Sequence, residues 1–114
     1  MTLRVGETGK TFRANAGFDM SSNTNLTLTF TNPNGTVITK TKAASQVTLG
    51  TSSITDADLG ALVANKYAEY EIEDGFLAVA GKWSGYLTYT NTASTPDDVF
   101  IGATFRFTVL DPAA

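Results

Sequence analysis

Apolar and polar residues alternate most cleanly over residues 26–31. There Leu26, Leu28 and Phe30 take one side and Thr27, Thr29 and Thr31 the other. A period of two marks a strand with one buried face. Asn32-Pro33-Asn34-Gly35 follows, with Pro33 fixing φ and Gly35 tolerating a positive value, and TVITKT then resumes the run. The two stretches read as a hairpin.

The same alternation recurs along the chain. Leu3 and Val5, then Phe12 and Ala14, form a first strand broken by Gly6 and Gly9, and residues 46–49 form a short one. Over residues 67–73, Ala68, Tyr70 and Ile72 point inward while Glu69, Glu71 and Glu73 point out together. Asp74-Gly75 turns the chain into the short apolar connection of residues 76–80. Trp83, Leu87 and Tyr89 then share a face with Gly85, and residues 91–98 are a loop on composition. The last strand, residues 100–110, buries Phe105, Phe107 and Val109 and exposes Arg106. Residues 55–65 are the one helical candidate. Thr55 can cap it, Asp56 and Asp58 suit its positive end, Leu59, Leu62 and Val63 share a face, and Asn65 can end it.

About seven short antiparallel strands with turns between them, plus one small connector helix, predict an all-β protein. The expected architecture is an immunoglobulin-like antiparallel β-sandwich, with a small closed barrel as the competing answer. The 114 residues, 1–114, suit one such domain and show no repeat or linker.

Composition narrows the function. The net charge of -3 offers nucleic acid no general attraction. With no cysteine and no histidine there are no disulfides, no thiolate or imidazole metal sites, and no Ser-His or Cys-His triad. No apolar run is long enough to span a membrane, and the first residues lack the apolar core of a signal peptide. No cofactor is implied.

One stretch imitates a nucleotide site. VGETGKTF, residues 5–12, contains the Gly9-Lys10-Thr11 with which a phosphate-cradling loop ends. The pattern needs a glycine five positions before Gly9, where Arg4 stands, and a helix after Thr11, where Gly17 cuts the segment short. The stretch is a glycine turn at a sheet edge, with Lys10 discouraging stray pairing.

Candidate contact residues are few. Glu69, Glu71 and Glu73, with Asp74, read first as a solvated strand face. They could otherwise meet a basic partner, or bind calcium weakly if Asp97 and Asp98 converge on them. They cannot serve as a glycosidase pair, because alternate residues on one strand point the same way and cannot flank a substrate. Trp83 reads as a core tryptophan, with sugar stacking as the sharper alternative. Tyr86, on the opposite face, joins Lys82 and Ser84 in an outward patch. Phe18 and Met20 lie in a loop, either folded under as a lid or marking an interface.

The order of motifs carries a resemblance. Val5-Gly6-Glu7-Thr8-Gly9 precedes Gly17-Phe18-Asp19-Met20-Ser21, a strand, and Thr31-Asn32-Pro33-Asn34-Gly35-Thr36. Gly81-Lys82-Trp83 later opens a strand and Thr104-Phe105-Arg106-Phe107-Thr108-Val109 closes the domain. This resembles the immunoglobulin-like N-terminal domain of phage baseplate upper proteins over nearly the whole chain. The resemblance implies a non-enzymatic virion structural protein, most readily associated with the tail, baseplate or neck. A capsid decoration (cement) or head-fibre protein is the alternative within that class. Its expected partners are other virion proteins in a multi-copy homo- or hetero-oligomeric assembly, without nucleic acid or membrane. Outside that class, a carbohydrate-binding or adhesion module remains open.

Overall fold

The computed structural model describes residues 2–113, which form eleven strands and, among the described residues, no helix. β1 (Leu3–Arg4) and β2 (Thr11–Asn15) come from the first apolar stretch, and β3 (Asn25–Thr31) and β4 (Val37–Thr41) from the threonine-rich hairpin. β5 (Val47–Leu49) follows, and β6 (Ile54–Asp56) and β7 (Gly60–Leu62) make a hairpin of their own. β8 (Tyr67–Glu71), β9 (Gly81–Asn91), β10 (Asp98–Ile101) and β11 (Phe105–Leu110) complete the chain.

The larger sheet runs β1-β11-β9-β3-β4, with β10 also on β9, and the smaller runs β2-β8-β5. β9 is the spine of the larger sheet. Along one edge it pairs with β3; along the other it pairs with β11 over its first half and with β10 over its second. The β3–β4 turn forms as its sequence predicts, with Thr31 opposite Val37 and Gly35 at φ 82°. The Asn32 side chain adds to it, accepting the N–H groups of Asn34 and Thr36 at 2.9 and 3.0 Å.

The two sheets pack face to face over an aromatic core. Phe30 of β3 is its hub, with ring centroids 5.4 Å from Phe12 of β2, 5.9 Å from Tyr70 of β8 and 4.8 Å from Phe76. Removing such rings from water supplies most of the drive to stack the sheets. Gly85 makes room for this arrangement. A side chain there would meet the Thr29 carbonyl oxygen at 2.3 Å and the Phe105 ring at 2.7 Å. Trp83 is buried, and its indole N–H donates to the Val79 carbonyl at 2.9 Å.

Several expectations are corrected. The helix over residues 55–65 is instead the β6–β7 hairpin, with Asp56 opposite Gly60. Asp56 Oδ1 accepts the N–H groups of Asp58 and Leu59 at 2.8 and 3.0 Å, as a helix cap would. The turn closes rather than propagates because Gly60 adopts φ 77°, which ends a helical path and re-aims the chain. The sheets are also not wholly antiparallel, since β1 runs parallel to β11. The predicted first strand is two strands in different sheets, because the chain crosses from one to the other through Gly6 and Gly9 at φ 88° and 80°. The predicted last strand is likewise split at residues 102–104, and Phe105 and Phe107 are half-buried rather than buried. With the first and last strands split and two strands in place of the helix, the expected seven become eleven.

Candidate interaction surfaces

The outward acidic residues form no continuous row. Glu69 accepts Arg13 Nε at 2.9 Å across the β2–β8 ladder, and the same guanidinium reaches Asp56 at 3.1 Å. Arg13 therefore tethers the β6–β7 hairpin to the smaller sheet. The Asp56 carboxyl loses solvent, which opposes ionisation. The Asp58 and Leu59 N–H groups and Arg13 outweigh that loss and hold its pKa below the usual value. Burial opposes the charge on Arg13 as well, and its bonds to Asp56 and Glu69 raise its pKa regardless. Glu73 approaches Lys40 at 3.8 Å, and Glu71 is left exposed. No group of three or more carboxylates among the described residues is arranged to hold a metal ion.

Lys10, the lysine of the phosphate-loop imitation, bonds to Glu7 at 2.7 Å and donates to the Thr2 carbonyl at 2.9 Å. Thr11 after it starts β2 rather than a helix. Of the loop pair, Met20 is fully buried, so it is a core residue and not part of a contact surface. Its backbone N–H donates to the Asn65 carbonyl at 2.8 Å. Phe18 is half-buried, its ring 5.2 Å from Tyr89 and 4.5 Å from Phe100. Trp83, sealed in the core, has no face to offer a sugar.

Lys82, Ser84 and Tyr86 do project outward together from β9, with Tyr86 37% exposed. Their surroundings are threonine. Thr88 stands opposite Thr27, which stands opposite Thr41, and Tyr86 stands opposite Thr29, which stands opposite Thr39. The centre of this outer face carries no charge. Val99 lies opposite Thr90 and Ile101 opposite Thr88, so both extend the same face onto β10.

Two further features are not visible as such in the sequence pattern. One is a groove of about 470 Å³ where the two sheets part on the β2 and β11 side. Its apolar wall is Leu3, Phe12, Phe105, Phe107 and Leu110, and the tip of the β6–β7 hairpin rims it with Asp56, Asp58 and Leu59. The other is β10 itself, every residue of which is exposed. Its signal was present in Val99-Phe100-Ile101, an apolar run that does not alternate. Joining it to the strand that follows concealed it, since a continuous strand would lie over the same core.

Compared with family models, with characterised proteins and with solved structures, the chain matches none.

Proposed function

We propose that this chain is a non-enzymatic structural module of a phage particle, an immunoglobulin-like sandwich that acts through protein–protein contacts on its outer surface. The order of strand pairing supports the fold. β1 parallel to β11, followed by β9, β3 and β4, corresponds to the sheet A-G-F-C-C′ of variable-type domains, and β2-β8-β5 corresponds to B-E-D. The virion role, with a tail, baseplate or neck position ahead of capsid decoration, rests on the order of turn motifs from Gly6 to Val109. The observation that carries the contact role is the exposed apolar strand β10 beside an uncharged threonine face, a surface suited to another protein rather than to a reacting small molecule. The reading assigns no catalytic group, metal or cofactor.

Antibodies raised against the purified chain provide the test. Immunogold label on purified particles, at a fixed place on tail or head, is the expected result. Label confined to the host-cell fraction overturns the virion role. One observation favours a second reading: Tyr86 is exposed on the outer face, next to threonines on β3 and β4, as a sugar-stacking ring would be. Glycan-array binding abolished by Tyr86→Ala would select it.

A further inference from the structure

β10 is the most exposed apolar strand of the molecule, with Val99, Phe100 and Ile101 at 55%, 38% and 64%. Its inner edge is taken by β9. The Gly102 N–H donates to the Leu87 carbonyl at 2.8 Å, so alternation along the strand turns the bonding groups of Asp98 and Phe100 toward β9. The N–H and C=O groups of Val99 and Ile101 then face outward, and no strand among the described residues pairs with them. The outermost strands of the two main sheets are short or carry a cation. β2 carries Arg13, β4 carries Lys40, β1 is two residues with Arg4, and β5 is three residues long. Between Asp98 and Gly102, β10 has no charge at all.

We propose that β10 is a self-pairing edge, on which a second copy of this chain docks its own β10 antiparallel, with Phe100 opposite Phe100 on a two-fold axis. In that register Val99 of each copy faces Ile101 of the other, and each such pair can exchange both of its hydrogen bonds. The branched side chains meet on the outer face, a favourable cross-strand pairing, while the two Phe100 rings meet on the inner face beside Phe18. Charge fits the same arrangement. A parallel alignment sets Asp97 and Asp98 beside their own counterparts, whereas the antiparallel one sends the two acidic pairs to opposite ends, across from Ala103 and Gly102. A slip of one residue would offer inward-bonded groups to outward ones and exchange the two faces. The occupant that meets every one of these requirements is β10 itself. The result is a sheet continuous through both copies, a two-fold contact that closes on itself.

Three apolar residues a side fall well short of the roughly 800 Å² per partner of a stable interface, so the dimer is weak and fills only at high concentration. Each copy carries a net charge of -3, so added salt strengthens the pairing. The inference does not depend on the virion role, although many copies held on one particle would multiply a weak contact.

Sedimentation velocity of the full chain, from about 10 µM to about 1 mM across the weak-association range, tests it. The expected result is a reversible rise toward twice the monomer mass, weakened about tenfold or more by Ile101→Lys at an unchanged melting temperature. Because the chain has no cysteine, Phe100→Cys introduces its only thiol. That variant should form a disulfide-linked dimer on mild oxidation, while Val37→Cys, on β4 and more exposed than Phe100, stays monomeric. Monomer at every concentration overturns the proposal. So does association indifferent to Ile101→Lys, or cross-linking as ready through residue 37 as through residue 100.

Discussion

β11 and β10 lie end to end on the same edge of β9, and their fates differ. β11 has the second sheet beneath it: Phe105 and Phe107 reach the Phe12 ring at 4.9 and 5.3 Å, and Val109 is buried. Beneath β10 lies the loop ring of Phe18, 4.5 Å from Phe100, and no residue of β10 is buried. Both strands carry large apolar side chains, and both are laddered to β9, β10 over all four residues and β11 from Phe105 to Val109. What separates a core strand from an exposed strand here is the layer underneath it, not its composition. Sheet hydrogen bonds fix position, and the facing sheet supplies most of the stabilisation.

That contrast can be broken from the largest effect downward. Phe30→Ala removes the ring shared by both sheets and should cost about 3–5 kcal/mol in denaturant unfolding, enough to unfold a domain of marginal stability. A loss under about 1 kcal/mol would contradict its place as the hub. Next comes the alkaline limb. Burial pushes the Tyr70 hydroxyl up to about 12, while in the unfolded chain it ionises near its ordinary value of 10. Above pH 10 the unfolded state therefore holds fewer protons than the folded one, and stability falls as pH rises, by about 1.4 kcal/mol per unit. Tyr70→Phe should flatten that limb in unfolding measured between pH 9 and 12.

Gly85→Ala should cost about 1–3 kcal/mol, because the added methyl meets a backbone carbonyl oxygen that cannot move aside without disturbing β3. Asp56→Asn keeps the side-chain oxygen that receives the turn's N–H groups and removes the charge facing Arg13. The folded pKa of Asp56 is lowered, so the wild type's advantage, about 1 kcal/mol, is present above the ordinary carboxylate range. It fades as pH falls through the folded value, and urea titrations at pH 7 and pH 3 should show the two proteins converging in acid. Least affected is Ile101→Ser, expected within about 0.5 kcal/mol of wild type. A large loss there would mean that β10 has a buried partner within the monomer.

The sequence made the central strands legible, because their faces are unequal and a period of two leaves a single register. Leu26, Leu28, Phe30, Trp83, Leu87 and Tyr89 are all buried, as their alternation predicts. It failed where local chemistry serves two structures equally well. An aspartate bonding to N–H groups two and three residues ahead starts a helix or a turn alike, and only the positive φ of Gly60 decides between them. It also failed where the answer lies in the opposite sheet. Nothing in Leu3, Val5 and Phe12 says that the chain changes layers between them, and nothing in residues 98–110 says that the second sheet stops short of β10. Of the proposed contact residues, Tyr86 and Lys82 could be placed from parity alone. Met20 could not, since a loop residue has no parity to read.

The parallel run of β1 beside β11 has a mechanical consequence. Leu3 lies opposite Val109 and Arg4 opposite Leu110, and the Val5 N–H donates to the Leu110 carbonyl at 3.0 Å. Pulling residue 2 backward and residue 113 forward drags the two strands along each other, so that their bonds are loaded together in shear instead of being peeled one by one. Stretched in an optical trap from those ends, the domain should yield at a higher force than when gripped at residues 37 and 113. Equal forces in the two geometries would show that this short strand carries no tension.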